Sequence, residues 1–406
     1  MASYNELLEN APAHLKADAV LRFPGACSEN SGIVISCGCA MKAGQYAKNL
    51  GAHKVILVAD KILRELGMLA PVTDSLDKEG IAYTVFCDIH PEPHSEDLTA
   101  AENCAKEFGA DAVVGVGGGS SLDVAKVTAC VLSGNDNAID IITNKVKTFR
   151  SVPLVLLPTT SGTGSEVSPY AVASHNGKKV FISSPQALPD VALVDPLMTA
   201  TMPAKVTAFT GLDALTHAVE GVCGCTNPFT KALAVQAVEL VFNYLPKAVA
   251  CPEDLEARTR MCYASVLGMM AYTQGGGLYA HSASYILTLS KNAPHGLGCG
   301  LTLPYTLAFN MEVIEELLES FIPSITKSGI ASPATAKDVP DAFLALVKAV
   351  NAPATIAELG YTEADVEAFA NSLFTDYYRA KNPKKVESGA ELNALVQMMY
   401  TGRITY

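Results

Sequence analysis

The sequence predicts an α/β domain with a parallel sheet, followed by an all-α domain. Short apolar runs alternate with helical patterns through the first half of the chain, as in doubly wound α/β proteins. Beyond residue 203 the apolar residues recur with the period of helices. The stretch from Asp195 to Pro203 contains two prolines and suits a junction. The predicted domains are therefore 1–203 and 204–406.

Four apolar runs are predicted to be strands of the first domain. They cover residues 54–60, 81–87, 112–116 and 152–157. Runs without polar alternation are typical of strands that are buried on both faces of a parallel sheet. A helical pattern over residues 97–108 lies between the second and third runs, so strand and helix alternate along the chain.

Apolar stripes at helical spacing indicate the helices of the second domain. Two such stripes consist of Val313, Ile314, Leu317, Leu318 and Phe321, and of Phe343, Leu346, Val347 and Val350. Thr362 is predicted to cap a further helix, because Asp365 follows three residues later and an apolar stripe begins at Val366.

The composition restricts the class of protein. The 406 residues carry a net charge of −12 and include no dense run of Lys and Arg, so we expect no nucleic-acid partner. We expect no membrane insertion either, since the apolar runs fall far below the ~18 residues of a spanning helix. An odd count of 11 cysteines favours a reduced, cytoplasmic protein. With 49% apolar residues, some surface is expected to be covered in a homodimer or a higher homo-oligomer.

A glycine-rich segment from Gly115 to Lys126 spans the end of the third predicted strand and the start of a helix. Glycines let the backbone approach a ligand closely, and the free N–H groups of a helix start attract a pyrophosphate. The segment departs from the Gly-x-Gly-x-x-Gly fingerprint because Ser120 stands where the third glycine would be. Two interpretations follow, a phosphate-binding loop and a tight turn without a ligand.

Two further features lie at the carboxyl ends of predicted strands, where ligands bind in open α/β sheets. Residues 158–167 form a loop rich in Thr, Ser and Gly, which is costly to order without hydrogen bonds to a partner. Asp60 ends the first predicted strand. An acid there can accept hydrogen bonds from a ribose and repels the 2′-phosphate of NADP. An ordinary helix-cap aspartate is an equally good interpretation.

Three of the eight histidines suggest a metal centre together with one aspartate. Asp213 and His217 are four residues apart in a helical stretch, so their side chains share one face. His281 and His295 come later, and His295 stands in a Pro-His-Gly segment typical of a turn or a helix start. One carboxylate and three imidazoles suit Fe²⁺ or Zn²⁺. Each residue taken singly is more readily explained as structural, so spacing alone leaves the set open.

Together these segments resemble the iron-dependent (group III) alcohol dehydrogenases. The resemblance rests on four motifs in family order and spacing, namely the loops 117–126 and 158–167, the helical stretch 211–220 and the turn 294–296. The Asp195-Pro196 and Asn382-Pro383 steps agree with it, and it covers about residues 30–400. It implies an N-terminal dinucleotide-binding α/β domain and a C-terminal helical metal-binding domain.

The resemblance also implies a role for each matching residue. The metal ligands, which are catalytic through the metal, would be Asp213, His217, His281 and His295. Asp60 matches the position that contacts the ribose of NAD(H). The other implied cofactor contacts are Gly117, Gly118, Gly119, Ser120, Asp123, Lys126, Thr159, Thr160 and Thr163. Fe²⁺ is the expected metal, with Zn²⁺ or another divalent ion as the alternative.

Two features depart from the family pattern. The family often has another histidine four residues after the first of the two later ligands, near the nicotinamide and the proton path. Here that position is Tyr285, so Tyr285 or water is expected to serve instead. Residues 1–30 precede the usual start of the family and are interpreted as an extra segment on the surface or at an oligomer contact.

The predicted function is that of a metal-dependent alcohol dehydrogenase or aldehyde reductase, which transfers a hydride between nicotinamide and a small alcohol or aldehyde. One alternative is a reductase of an anionic aldehyde such as sulfoacetaldehyde or succinic semialdehyde. Another is a zinc enzyme of the glycerol dehydrogenase or dehydroquinate synthase type. A third is a non-catalytic protein that binds NAD or a metal. Lys291 is a candidate contact for an anionic substrate, although a solvated loop lysine is the better interpretation.

Overall fold

The computed structural model describes residues 2–22, 31–134 and 137–406. The described chain forms two compact units. Unit 1 contains the residues up to Thr160 and Gly164–Thr201, whereas unit 2 contains Ser161–Thr163 and Met202–Tyr406. The domain limits 1–203 and 204–406 stay a prediction.

Unit 1 is built on a seven-stranded sheet. Its strands are β1 (Ala19–Leu21), β2 (Gly32–Ile35), β3 (Lys54–Ala59), β4 (Ala82–Phe86), β5 (Ala112–Gly117), β6 (Leu154–Pro158) and β9 (Val191–Val194). They lie in the order β1-β2-β9-β6-β5-β3-β4. β1 pairs with β2 in the antiparallel sense, and the other neighbours are parallel. The four predicted strands coincide with β3, β4, β5 and β6, and the predicted fold class is confirmed.

Helices connect and cover these strands. In unit 1 they are α1 (Tyr4–Asn10), α2 (Ala13–Lys16), α3 (Ala43–Asn49), α4 (Lys61–Glu65), α5 (Ala70–Lys78), α6 (Ser95–Phe108), α7 (Gly119–Leu132) and α8 (Ala138–Ile142). β3, β5 and β6 are buried along their length except at Lys54. Their register pairs Val116 of β5 with Ala59 of β3 and with Leu157 of β6, so the carboxyl ends of all three strands lie side by side.

A separate hairpin follows the loop after β6. Its strands are β7 (Tyr170–His175) and β8 (Lys178–Ser183), which pair in the antiparallel sense. Asn176 and Gly177 form the turn with φ angles of 51° and 72°, as a two-residue hairpin loop requires. Ala171 and Ala173 bury one face of β7 in the same core as α7.

The N-terminal helix α1 is anchored within unit 1. The hydroxyl of Tyr4 donates to Asp195 Oδ2 at 2.6 Å, just beyond the end of β9. Tyr4 is buried, and burial, with the nearby Asp195, raises the pKa of its hydroxyl. Leu7 and Leu15 are buried as well. These buried side chains anchor the segment, whereas most of its other described residues are exposed, and an oligomer contact stays a prediction.

The same aspartate organises the surrounding backbone. Its Oδ2 accepts hydrogen bonds from the N–H groups of Gly38 and Ala40, and its Oδ1 accepts one from Leu197, each at 3.0 Å. Asp195 thus joins α1, the chain after β2 and the chain after β9. Of the predicted N-terminal segment, residues 23–30 lie outside the described residues.

The named elements of unit 2 are helical throughout the part of it that the structure describes. They are α9 (Ala204–Gly224), α10 (Pro228–Ala250), α11 (Leu255–Gly275), α12 (Tyr279–Lys291), α13 (His295–Glu319), α14 (Ile322–Ser328), α15 (Val339–Ala349), α16 (Val366–Thr375) and α17 (Asn393–Thr401). Thr362 and Asp365 form the predicted capping box, ahead of a short 3₁₀ segment that leads into α16. Within the described residues, no helix combines the length and the apolar character needed to cross a bilayer.

Candidate metal centre and cofactor loops

The glycine loop joins β5 to α7 at the carboxyl edge of the sheet. A Cβ atom on Gly117 would lie 2.7 Å from both Asp60 Oδ2 and Ser121 Cβ, so a larger residue does not fit there. Gly118 directly precedes α7, and no side chain caps this helix. Free N–H groups at a helix start suit an anion such as a pyrophosphate. The loop therefore has the geometry for phosphate binding, and the ligand itself stays a prediction.

Asp60 follows β3 and faces the glycine loop. Its Oδ2 accepts a hydrogen bond from Gly118 N at 3.1 Å, and its Oδ1 accepts one from Ser121 Oγ at 2.5 Å. Although Asp60 precedes α4, its side chain makes no cap hydrogen bond to that helix. The carboxylate fixes the loop, and it retains lone pairs that a ribose hydroxyl can use.

Thr159 and Thr160 follow β6, beside the same loop. The N–H of Thr159 donates to Gly117 O at 2.9 Å. Thr160 lies against Gly118, whose ideal Cβ would sit 3.6 Å from Thr160 Cγ2. The buried Thr160 Oγ1 has no hydrogen-bond partner among the described residues. Because an unsatisfied buried hydroxyl is costly, this group points to a ligand at the loop.

The remaining residues of these loops are placed in different ways. Ser120 Oγ donates to Pro91 O at 2.6 Å, so its hydroxyl is already engaged. Gly119 is the first residue of α7. Thr163 belongs to the short piece 161–163 that packs with unit 2.

Lys126 is fully buried in the core of unit 1. Its Nζ donates to Ser168 O at 3.1 Å, to Ser168 Oγ at 3.2 Å and to Tyr170 O at 2.6 Å. Burial lowers the pKa of this lysine to about 8, against the attraction of Asp123 and Glu166. An ammonium has three protons, and three acceptors engage them here, so Lys126 connects α7 to the segment before β7.

Asp123 makes a parallel connection one turn earlier on α7. It accepts hydrogen bonds from Ser165 Oγ at 2.6 Å and from Val172 N at 3.0 Å. Glu166 lies in the same buried region, where burial raises its pKa to about 7 and its Oε2 has no described partner. These contacts give Asp123 and Lys126 a positioning role, while direct contact with a dinucleotide stays a prediction.

Three helices of unit 2 bring the predicted metal ligands together. Asp213 and His217 lie one turn apart on α9, His281 on α12 and His295 at the first residue of α13. Measured from Asp213 Oδ1, the Nε2 atoms of the three histidines lie at 4.0, 4.0 and 3.9 Å in chain order. Such separations suit donors that surround one ion at about 2.0–2.2 Å each.

The Pro-His-Gly segment allows α13 to begin close to α9. A Cβ atom on Gly296 would lie 2.3 Å from Phe209 O and 3.0 Å from Asp213 Cβ. Only glycine can therefore occupy this position. Because Gly296 has no side chain, α13 can lie close enough to α9 for His295 to reach Asp213.

Each histidine uses its Nδ1 atom for a hydrogen bond outside the cluster. The partners are Gly162 O for His217 at 3.3 Å, Glu220 Oε2 for His281 at 2.6 Å, and Ser284 Oγ for His295 at 3.0 Å. Outer partners of this kind fix the ring orientation of metal-ligating histidines. The Nε2 atoms of all three rings lie on the side of Asp213, within 4.0 Å of its Oδ1.

The electrostatics of the cluster fit a cation. Asp213 Oδ1 and His281 Nε2 are buried and have no hydrogen-bond partner among the described residues. Although burial opposes it, the imidazoles hold the pKa of Asp213 below its usual value. Burial, with repulsion from the other two histidines, lowers the pKa of His281 well below its usual value. A carboxylate and a neutral imidazole are the forms that bind a metal.

The cluster is exposed on one side only. The side chain of His295 is 37% exposed, whereas those of His217, His281 and Asp213 are between 2% and 7% exposed. A small molecule can therefore approach a bound ion from the side of His295 while the other donors stay shielded from water.

Glu220 has no role predicted from the sequence, although it ends the stretch that contains Asp213. Glu220 is buried and accepts hydrogen bonds from Leu278 N, Ala280 N and the His281 ring, at 2.7, 2.7 and 2.6 Å. It thus holds the start of α12 and orients His281. The sequence feature that could have indicated Glu220 was an acid two helical turns after Asp213, on the same face of an apolar helix.

Cys299, which lies one turn after His295 on α13, also has no role predicted from the sequence. Its Sγ is 3.6 Å from His295 Nε2. Donor atoms of Asp213, His281, His295 and Cys299 all lie within 4.8 Å of one another. The four-residue spacing from His295 was the available signal.

Tyr285 lies one turn after His281 on α12. Its ring stacks on His295 with 5.2 Å between centroids, and the ring of Tyr377 lies 6.0 Å from it. Burial raises the pKa of Tyr285 to about 12, so its hydroxyl stays protonated at neutral pH. The tyrosine therefore borders the exposed side of the cluster as a potential proton donor.

A sheet with a glycine loop at an uncapped helix start and a helical unit with a metal-donor cluster are the two parts expected of a metal-dependent dehydrogenase. Residues 30–196 match the family model of the iron-containing alcohol dehydrogenases, and residues 207–399 match the model of the C-terminal part of the same family. The chain belongs to the iron-containing alcohol dehydrogenase family. This confirms the resemblance found in its motifs and the predicted class of enzyme.

Individual relatives cover nearly the whole chain. This chain is 33% identical to an NAD-dependent methanol dehydrogenase of Bacillus methanolicus over an alignment of 357 residues. The alignment covers 86% of this chain and 93% of that protein. This chain is also 32% identical over 380 residues to a sulfoacetaldehyde reductase of Bilophila wadsworthia, with coverages of 90% and 96%. The structure of a sulfoacetaldehyde reductase from Bifidobacterium kashiwanohense in complex with NAD⁺ matches with a TM-score of 0.83 at 30% identity, over 95% of this chain and 100% of that chain.

Proposed function

We propose that this chain interconverts small alcohols and aldehydes with NAD(H), at a divalent metal held by Asp213, His217, His281 and His295. The observation that carries the proposal is the arrangement of these side chains. Three Nε2 atoms lie 3.9–4.0 Å from one buried carboxylate oxygen, and each ring is fixed through its other nitrogen. Fe²⁺ is the proposed metal, with Zn²⁺ or another divalent ion as the alternative.

When bound, the metal supplies Lewis-acid polarisation of the substrate oxygen, and the nicotinamide supplies or accepts the hydride. The residues of this chain do the rest. Glu220 and Ser284 hold the rings of His281 and His295 through their Nδ1 atoms. Burial of Asp213 keeps water from its carboxylate, and the exposed side chain of His295 leaves an approach for the substrate.

The NAD assignment draws on unit 1 and on the names of the relatives. The proposed pyrophosphate site is the loop Gly117–Ser120 with the uncapped start of α7. Asp60 would accept a ribose hydroxyl and disfavour the 2′-phosphate of NADP. Thr159, Thr160 and Thr163 are proposed to lie along the dinucleotide. One relative is an NAD-dependent methanol dehydrogenase, and the structure of another is a complex with NAD⁺, which supports NAD over NADP.

Tyr285 is proposed to serve the proton path. Its hydroxyl stays protonated at neutral pH because burial raises its pKa to about 12. It can therefore supply a proton to a developing alkoxide but does not act as a resting base. Tyr285→Phe is expected to lower the rate of aldehyde reduction and to leave the metal content unchanged.

The experiment that tests the proposal removes the metal with a chelator and restores Fe²⁺ or Zn²⁺ separately. NADH consumption with a short aldehyde should disappear and return with one of the two ions. Asp213→Asn and His281→Ala should lose both the bound metal and the activity, and the matched control is His53→Ala, on the exposed loop before β3. Full activity of the metal-free protein would show that the proposal is wrong.

The proposal extends to a cytoplasmic homo-oligomer. Among the described residues Cys39, Cys87 and Cys130 are free thiols, which suits a reducing compartment. Large apolar side chains are exposed at the start of α10, where Phe229 is 83% exposed, and on α13 at Val313. Sedimentation of the purified protein would measure the oligomeric state.

A further inference from the structure

The segment Tyr377 to Arg379 closes a ring of contacts beside the donor cluster. Arg379 Nε donates to Ser282 Oγ at 2.7 Å, and Ser282 Oγ donates to Tyr377 O at 3.0 Å. Ser282 is the residue after His281, and it is completely buried. Through Tyr285 the same segment reaches the ring of His295, which lies 5.5 Å from that of His281. The guanidinium is therefore fixed next to the helix that carries one of the proposed ligands.

The charge of Arg379 acts on the cluster itself. Burial lowers the pKa of His281, and the charge of Arg379 adds to that effect. At Tyr285 burial raises the pKa, and the same charge opposes the rise. Both effects agree with the hydrogen bond to Ser282 in placing the cation near His281 and Tyr285.

The guanidinium of Arg379 has two nitrogens, Nη1 and Nη2, whose N–H groups remain available as donors. Only its Nε atom is engaged among the described residues, and no carboxylate there lies within ion-pair distance of Nη1 or Nη2. The side chain is partly exposed. A planar fork of two N–H-bearing nitrogens suits an oxyanion, which it binds through parallel hydrogen bonds.

Neighbouring lysines are engaged elsewhere. Lys291 Nζ donates to Gly360 O at 3.0 Å and lies 4.8 Å from the centre of the Tyr361 ring. Lys384 Nζ lies 3.6 Å from a carboxylate oxygen of Glu312. The structure thus supports the interpretation of Lys291 as a solvated lysine and directs attention to Arg379.

We propose that Arg379 recognises a terminal oxyanion of the substrate, and that this enzyme prefers short aldehydes that carry a carboxylate or a sulfonate. The inference rests on the proposed function, because the aldehyde end must meet the metal. An aldehyde with an anionic tail would direct its carbonyl to the donor cluster and its tail to Nη1 and Nη2. Arg379 would then determine specificity without taking part in the hydride transfer.

The test compares probes that differ in charge. Initial rates are measured with the metal-loaded enzyme and NADH on succinic semialdehyde, sulfoacetaldehyde and butanal. The wild-type kcat/KM should favour at least one anionic probe over butanal by roughly 30-fold or more, the range expected for hydrogen bonds to a charged group. The comparison of the two anionic probes distinguishes a carboxylate substrate from a sulfonate substrate.

Variants assign the preference to the side chain. Arg379→Gln should lower kcat/KM for the preferred anionic probe by roughly 30- to 100-fold, mainly through KM, and change butanal by less than about threefold. Arg379→Lys should restore part of the loss, since it keeps the charge but not the planar fork. Lys291→Ala is the matched control and should behave as the wild type. Propane-1-sulfonate should inhibit butanal reduction by the wild type and not by Arg379→Gln.

The outcomes separate this inference from the proposed function. Turnover of butanal without preference for either anionic probe would overturn the inference and leave the proposed function standing. An anionic preference that survives Arg379→Gln would also overturn it. Absence of turnover with every aldehyde and either metal would overturn both.

Discussion

Each histidine of the donor cluster uses its Nδ1 atom for a positioning contact and has its Nε2 atom near Asp213. The Nδ1 atoms of His217, His281 and His295 contact a carbonyl, a carboxylate and a hydroxyl, respectively. The Glu220 contact is the shortest of the three, and Glu220 is itself held by the N–H groups of Leu278 and Ala280. His281 is consequently expected to depend most on its outer partner.

Glu220→Gln should lower the affinity for the metal by roughly 10- to 100-fold, as for other outer partners of metal-bound histidines. The amide cannot supply the carboxylate charge that orients the His281 ring. Titration of the apoprotein with Zn²⁺ against a chromophoric chelator measures the change. Glu239→Gln is the control, since Glu239 pairs with Lys327 on the surface of unit 2. Equal affinities in the two variants would contradict the expected role of Glu220.

His217 and Cys299 can be distinguished as donors. The Nε2 atom of His217 is as close to Asp213 Oδ1 as that of His281, whereas burial raises the pKa of the Cys299 thiol well above its usual value. We therefore expect His217→Ala to lose its metal on dialysis and Cys299→Ala to retain it. Elemental analysis of the dialysed proteins measures the metal content. The reverse order would place the sulfur among the ligands.

Sequence spacing predicted part of this centre and could not supply the rest. Asp213 and His217 share a helical face, which the four-residue spacing indicates by itself. His281 and His295 lie on two other helices, so only the resemblance to a family joined them to the pair. The contact between Glu220 and the start of α12 joins residues 58 and 60 positions apart, a distance that no local pattern encodes.

Buried polar groups connect helix α7 to the segment that leads into β7. Lys126 is fully engaged, and Asp123 Oδ1 lies 3.7 Å from its Nζ. Glu166, in the same region, has one carboxylate oxygen without a described partner. The network is therefore sensitive to the ionisation of Glu166.

The pH dependence of stability should change in Glu166→Gln. Burial raises the pKa of Glu166 from 4.5 to about 7, so the folded protein holds a proton that the unfolded chain releases in this range. The contribution of this proton to the free energy of unfolding is fully present below pH 4.5, and it is lost as the pH rises through 7. Gln imitates the protonated form and should be the more stable variant at pH 8, by up to about 3 kcal/mol.

Urea unfolding at pH 5, 7 and 8 measures the difference in free energy of unfolding between Glu166→Gln and the wild type. This difference should increase as the pH rises from ~5 to ~8. Glu79→Gln, at an exposed ion pair with Lys48, is the control and should follow the wild type. Parallel stability curves for Glu166→Gln and the wild type would contradict the expectation.

The sequence indicated strands where apolar runs were long. β3, β5 and β6 are buried on both faces and were found for that reason. β2 and β9 are also buried throughout but have only four residues each, a short run that was not predicted. The β7–β8 hairpin was missed because its strands are only partly buried and lack a continuous apolar run, although its Asn-Gly turn is a strong hairpin signal.

At the scale of the molecule, Tyr4 ties the beginning of the chain to the end of unit 1's sheet. Tyr4→Phe should lower the free energy of unfolding by about 1–3 kcal/mol, because it removes a hydrogen bond to the buried Asp195 carboxylate. Chemical denaturation followed by circular dichroism measures the loss. Tyr83→Phe, on the edge strand β4, is the control and should have little effect, and equal effects of the two changes would contradict the anchoring role.

The contact between Tyr4 and Asp195 also bears on the order of events during translation. The two residues are 191 positions apart, and β2 pairs with β9 at a similar distance. The ribosome must therefore release almost the whole of unit 1 before its first helix can dock. Until then the buried face of α1, including Leu7, is exposed to the cell. Helix α1 is thus among the last helices of unit 1 to reach its native place, and nascent chains in that interval should be the ones that chaperones bind.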